Sequence, residues 1–280
     1  MILTWLYAPG DRPEVVAKAL RCGADAVIVD LEDSVSASRK EYARAATAEL
    51  LTERPPVPVH VRVNALGSPW AGADLTALAR LHGLAGLRLP KIDAPEQVVR
   101  VADRAGGVAL YALLESALGV ERAYEIARAH PSLHGLTLGE ADLRADLGVS
   151  AEEGLDWPRS RVVVAARAAG LAPPAQSVFP DIRDLEALAA SCARGRALGF
   201  LGRAAIHPRQ LPVIEGAYLP RPEEVTAAEE IVTAARATPG AQALPDGRFV
   251  DPAVVAAAHR TLTLDPGAAT QVALPTPRGG

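Results

Sequence analysis

The sequence predicts an α/β protein, a (β/α)8 TIM barrel with a C-terminal helical extension, and three observations carry that expectation. Eight apolar runs alternate with amphipathic, Ala-, Arg- and Glu-rich segments between residues 2 and 207, with no composition shift to mark a linker. Several of these runs are apolar throughout, which is the pattern of parallel strands covered on both faces. Hydrophobic residues make up 49% of the chain and aromatics only 4%, so helices on an aliphatic sheet fit better than an aromatic-rich sandwich. An open doubly wound sheet is the rival, but the phosphate-binding GxGxxG turn is missing after the first run.

Taken in order, the expected strands are residues 2–7, 26–31, 57–63, 84–89, 108–114, 133–138, 172–178 and 200–206. Helical periodicity falls between them at 13–22, 38–53, 71–81, 94–105, 117–130, 159–169 and 183–198. Asp11 precedes Pro13 and Ser38 stands three residues before Glu41, so side-chain caps are expected at both helix starts. The barrel is expected over residues 1–220. Beyond it, Pro222 and Pro252 open helices near 222–237 and 252–263, which makes a helical extension over 221–265. The segment 241–250 between them has turn residues at Pro245, Asp246 and Gly247 and no expected strand partner within the fold. Residues 266–280 carry Pro, Gly and Thr without periodicity and read as a loose tail.

Composition excludes whole classes of function. With 33 acidic against 29 basic side chains the net charge is −4, so there is no basic surplus for binding nucleic acid. Cys22 and Cys192 are the only cysteines, without a CxxC, and read as small buried residues. The first seven residues lack a basic leader and break at Pro9 and Gly10, too short for a signal peptide or a membrane span. A cytoplasmic protein with no membrane association is expected.

In barrels the active site gathers at the carboxyl ends of the strands, so the residues that follow each run matter most. The fifth run delivers Glu115; the sixth breaks at Gly139 and delivers Glu140 and Asp142. Two carboxylates with room for water and substrate suit Mg²⁺, which keeps several of its waters. The alternative is that Glu115 and Asp142 are first-turn helix acids, stabilised by the helix dipole. Other strand ends carry Arg12, then Asp30, Glu32 and Asp33, then Arg62 and Asn64, then Lys91, and finally His207. Arg12, Arg62 and Lys91 suit a carboxylate or phosphate. Asp30, Glu32 and Asp33 either back the site or pair with those cations in a structural network. Arg62 lies inside a strand, so its charge must face the barrel mouth or a buried acid. His207, just before Pro208, fits a helix start better than a base. Trp70 and Trp157 read as packing.

The motifs PGDRPE at 9–14, DLEDSV at 30–35, RVN at 62–64, LPK at 89–91, LESALGV at 114–120, DLRADLG at 142–148 and AIHPRQ at 205–210 occur in that order. Together they resemble the citrate lyase β-subunit-like (CitE-like) branch of the HpcH/HpaI aldolase family, over nearly the whole chain. The resemblance implies a Mg²⁺-dependent lyase acting on the carbon–carbon bond of a β-hydroxyacyl thioester of the citryl-, malyl- or citramalyl-CoA type. Its products would be an acyl thioester and a 2-oxo acid such as oxaloacetate, glyoxylate or pyruvate. By the same resemblance Glu115 and Asp142 are the metal ligands, Arg62 clamps the oxo-acid carboxylate, and Arg12 and Lys91 line the same mouth. GRFVDP at 247–252 is similar to a C-terminal motif that supplies a catalytic Asp to a neighbouring subunit. That implies Asp251 as the acid/base and a homo-oligomer, a trimer or dimer of trimers.

One departure stands out. Relatives read Gly-Ala-Glu-Asp at the second metal motif, whereas this chain reads Gly139-Glu140-Ala141-Asp142, so the acid beside the ligand has moved by one residue. Two other readings remain open: the β subunit of a citrate lyase complex, acting on an acyl-carrier-protein thioester, and a non-catalytic thioester-binding scaffold. The acid pair and Arg62 argue against the scaffold, and Asp251 favours the stand-alone enzyme.

Overall fold

The computed structural model describes residues 1–238 and 240–265 in two compact units, one spanning Ile2–Tyr218 and the other beginning at Leu219. The expected tail at 266–280 lies outside the described residues. No helix among those described is long and apolar enough to cross a membrane.

The first unit is built on seven parallel strands: β1 (Thr4–Pro9), β2 (Ala26–Asp30), β3 (Val59–Arg62), β4 (Leu84–Leu89), β5 (Leu110–Leu114), β6 (Leu133–Leu138) and β7 (Arg203–Ala205). Their order is β6-β5-β4-β3-β2-β1-β7. Ala26, Val27, Ile28 and Val29 have no exposed surface, as a strand covered on both faces requires. The sheet is strongly curled. Trp5 on β1 and Tyr111 on β5 stand four places apart in the ladder, which in a flat sheet is roughly 19 Å at about 4.8 Å per strand. Their ring centroids are 6.3 Å apart, with the His60 ring of β3 between them at 4.9 and 4.7 Å. Side chains from alternate strands therefore meet in one interior layer.

Several expectations need correction. The strand expected at 172–178 shrinks to one bridge, Gln176 to Arg203, because Pro173 and Pro174 have no N–H to give a ladder. Among the described residues no ladder joins this segment to β6, so the paired sheet has seven strands. The run at 200–206 is likewise cut to three residues, since Gly199 and Gly202 take positive φ just before Arg203. The helix expected over 117–130 is two short helices, Ala117–Glu121 and Ala123–Ala127, broken at Arg122 where ψ opens to 11°. The expected side-chain caps are also missing. Arg12 and Arg39 hold the N-cap positions without a capping bond, and Asp11 instead accepts from Arg39 Nε at 3.3 Å.

Two helices follow β6: the one expected at 159–169, which begins three residues earlier at Asp156, and one that periodicity did not show. Glu140–Leu147 carries Asp142 and stops at Gly148, whose φ of 67° is the left-handed conformation that ends helices. Asp156–Ala168 turns Val162, Ala165 and Ala166 into the core. Trp157 in its first turn is 59% exposed, so it does not pack as expected. Trp70 is half-buried under the Lys40 ammonium, 5.3 Å from its ring. Cys192 is buried as expected, whereas Cys22 is only partly covered.

The second unit pairs helix Pro222–Ala237 with helix Pro252–Leu264 through Ala228, Val232 and Ala258. Between them β8 (Gln242–Ala243) and β9 (Phe249–Val250) form an antiparallel hairpin. The segment thus finds its strand partner within itself, with Gly247 at φ 86° in the turn.

Candidate functional site

The carboxyl ends of β2 to β6 place most of the flagged charges around one cavity of about 1240 Å³. Asp30 is the last residue of β2, and its neighbour in register is Arg62, the last residue of β3. The two form a forked pair, Arg62 Nε to Asp30 Oδ1 at 2.7 Å and Nη2 to Oδ2 at 2.8 Å. Asp30 also accepts from the backbone N–H groups of Glu32 and Ser34. Burial works to raise its pKa, but the guanidinium and these donors outweigh it and hold the carboxyl below the usual range. The remaining edge of Arg62, at Nη1, faces Glu32 at 3.1 Å and the largely exposed Asp33 at 3.2 Å.

Lys91 stands at the centre of the acids. Its φ of 54° is rare for a residue with a side chain and turns its N–H onto Glu115 Oε2 at 2.8 Å. Its ammonium lies 2.9 Å from Glu32, 3.3 Å from Asp142 and 3.9 Å from Glu115. Glu115 is 6% exposed, and burial together with the Glu32 charge pushes its pKa up to about 7. Gly139 makes that position possible, because a Cβ there would overlap the Glu115 carboxyl group. Glu32 is itself buried; its Oε2 has no hydrogen-bond partner, although Arg62 Nη1 is near, because the angle is wrong for a bond. Lys40 ties this loop down by donating to the Leu31 and Glu32 carbonyls at 2.7 Å.

These residues fit a divalent cation. Glu115 and Asp142 reach one cationic centre from the ends of adjacent strands, with Glu32 behind it, one of whose oxygens accepts no hydrogen bond. Three His, Cys, Asp or Glu side chains do not converge as a cage among the described residues, and a two-carboxylate site completed by water is the arrangement Mg²⁺ accepts.

Not every flagged residue joins this cluster. Arg12 is exposed and does not line the cavity. Asn64 is committed to Asp74, accepting nothing from the cavity and donating Nδ2 at 2.7 Å. His207 caps a 3-10 turn, its Nδ1 accepting from the Arg209 N–H at 3.1 Å, as its place before Pro208 suggested. Glu140, the displaced acid, turns away to Arg159, which grips both its oxygens at 2.9 and 2.6 Å and also meets Glu152. Asp251 lies in the second unit and caps helix Pro252–Leu264, accepting from the Val254 N–H at 2.8 Å.

Sequence reasoning missed Arg88. It is in register with Arg62 on the neighbouring strand, is 3% exposed and lines the cavity. Its guanidinium lies over the rings of Trp5 at 4.4 Å and Tyr111 at 5.4 Å, with no carboxylate in ion-pair range among the described residues. Desolvating an ion costs several kcal/mol, whereas a buried cation–π contact returns about 2 kcal/mol. The aromatic faces thus leave part of the charge uncompensated. The signal was available, since an arginine inside the run LAGLRL invites the argument already applied to Arg62.

Comparison with known proteins follows the same lines. A model of the HpcH/HpaI aldolase/citrate lyase family matches residues 3–208. A citrate lyase subunit beta-like protein of Mycobacterium tuberculosis is 37% identical over 266 residues, covering 92% of this chain and 93% of the other. A (3S)-malyl-CoA thioesterase of Cereibacter sphaeroides is 34% identical over 270 residues, covering 92% of each. The crystal structure of protein CitE from Mycobacterium tuberculosis in complex with magnesium, acetoacetate and coenzyme A superposes with a TM-score of 0.81 at 35% identity, covering 93% of this chain and 97% of that one.

Proposed function

Because this chain belongs to the HpcH/HpaI aldolase/citrate lyase family, we propose that it is a Mg²⁺-dependent lyase cleaving a β-hydroxyacyl-CoA thioester of the citryl, malyl or citramalyl type. The products are an acyl thioester and a 2-oxo acid. One observation carries the assignment: Glu115 and Asp142, from the ends of adjacent strands, converge on a single cationic centre beside a buried guanidinium. The CitE relative binds magnesium and coenzyme A, which supports the same cofactor and carrier here. The curl of the sheet and the Gln176 bridge support a barrel of the (β/α)8 type, with the chain from Leu219 onward as its extension.

In this reading Glu115 and Asp142 hold Mg²⁺, which supplies Lewis-acid stabilisation of the oxygen that becomes the oxo-acid carbonyl. Lys91 gives up its place between the acids and turns toward the cavity. Asp30 fixes the Arg62 guanidinium through two bonds, and the oxo-acid carboxylate takes the Nη1 edge in place of the exposed Asp33, beside Glu32. Asp251 exchanges the proton at the thioester enolate carbon, delivered by a neighbouring copy in a homo-oligomer. The GRFVDP motif supports that role, as does a carboxylate whose Oδ2 carries no hydrogen bond among the described residues.

The test is product analysis with citryl-, malyl- and citramalyl-CoA, in Mg²⁺ and in EDTA. Formation of a shorter acyl-CoA and a 2-oxo acid, lost in EDTA, is the expected result. Free CoA without any 2-oxo acid would instead place the chain with the thioesterase relatives, and no turnover of any thioester would favour a scaffold.

A further inference from the structure

Six arginines line the cavity, and five of them have protein acceptors. Arg62, Arg144, Arg159 and Arg194 pair with carboxylates. Arg203 has no carboxylate but donates to the Ser177 carbonyl, Gln176 and Ser191. The Arg88 side chain alone of the six makes no hydrogen bond or ion pair among the described residues, and its Nε is buried without a hydrogen-bond partner.

Among the described residues, the surroundings of Arg88 contain no counter-charge. Its guanidinium rests on the Trp5 and Tyr111 rings. His60, between those rings, is held neutral by burial and by the Arg88 charge itself. The other charged neighbour across the ladder, Arg62, is of the same sign. Trp5 and His60 precede the mouth-level residues Tyr7 and Arg62 by two positions on their strands, so the Arg88 guanidinium, although its backbone is in register with Arg62, rests on a ring layer below the mouth. Thr137 Oγ1 is a second buried cavity-lining group with no partner. A charge this deep, unpaired by protein yet open to the cavity, is the complement of an anion brought by the ligand.

We infer that Arg88 is a specificity-determining residue that binds a second carboxylate, so that the oxo acid taken by this cavity is a dicarboxylic one. The inference rests on the proposed function. The metal-binding acids and Arg62 engage the 2-oxo-carboxylate end at the mouth, and the distal carboxylate reaches down to Arg88. The bulky thioester carrier is left on the open side. A mono-carboxylic oxo acid would leave the guanidinium buried and unpaired, and unpaired buried polar groups are what let a site reject an analogue that lacks one functional group.

The experiment is calorimetric titration of the full chain in Mg²⁺ with oxaloacetate and with pyruvate as probes. Wild type is expected to bind oxaloacetate at least tenfold more tightly than pyruvate, and Arg88→Met, close in volume but uncharged, is expected to collapse that ratio at least tenfold. Arg88→Lys should keep part of it, because a point charge still attracts the carboxylate without the fork. Should Arg88→Met not fold, Arg88→Gln takes its place against the same ratio. If wild type does not prefer oxaloacetate, or if the ratio survives removal of the charge, the inference is overturned while the lyase reading stands. If neither oxo acid binds in Mg²⁺, the proposed function fails first and takes this inference with it.

Discussion

Glu115 is buried, faces the Glu32 charge and keeps its proton up to about 7, whereas an ordinary glutamate loses it near 4.5. An acid whose folded pKa is raised makes the folded chain less stable as pH rises from about 4.5 to about 7, and a cation bound to the carboxylate reverses that loss. The gain in Tm on adding Mg²⁺ is therefore expected to be small at about pH 5 and large at about pH 8. Equal gains at both would detach Glu115 from the metal. Arg62 invites a second test. Arg62→Lys cannot reproduce the fork to Asp30 or present a second edge, so kcat/KM should fall by at least ~1.5 kcal/mol in transition-state stabilisation. Mg²⁺ affinity, measured alongside, should change little; near-normal kinetics would confine Arg62 to a structural ion pair. Glu115, Asp142, Arg62 and Lys91 were legible because each is a charge at the end of an apolar run. That Asp30, Glu32 and Asp33 pair with Arg62 and Lys91 was one of the two readings the sequence offered; the forked geometry and the Lys91 left-handed turn were not legible, since both are decided by which strand ends lie side by side.

Among the elements, β1 to β6 could be read from apolar runs with bounds shifted by only a few residues. The later part of the first unit could not, because Pro173, Pro174, Gly199 and Gly202 break backbone pairing where the apolar content alone suggested strands. Helix Glu140–Leu147 was hidden by its charge, although Gly148 carried the stop signal. Its first residue shows what the displaced acid does: Glu140 joins this helix to Asp156–Ala168 through Arg159, whose side chain is 3% exposed. Glu140→Ala removes one of two strong acceptors from a buried guanidinium, and Glu152 remains. Urea denaturation should show a stability loss of about 1–3 kcal/mol. No change in the midpoint would mean that Glu152 alone satisfies Arg159.

For the whole molecule, composition and motif order were enough to indicate the family, while assembly rests on the resemblance of the GRFVDP motif alone. The catalytic role proposed for Asp251, which lies in the second unit, is tested together with the proposed assembly. Asp251→Asn is expected to keep Mg²⁺ binding and lose lyase turnover, because the amide keeps the shape and cannot exchange the proton. Mixing Asp251→Asn with Glu115→Ala subunits should restore part of the activity once exchange has occurred. A mixture that exchanges and stays inactive would place the acid/base elsewhere. All of this depends on the acid pair at the ends of β5 and β6 being a metal site. Calorimetric titration of Mg²⁺ into wild type, Glu115→Ala and Asp142→Ala tests that claim most directly. Saturable binding in wild type, lost in each variant with the fold retained by circular dichroism, is the expected result; unchanged affinity in both variants would contradict it.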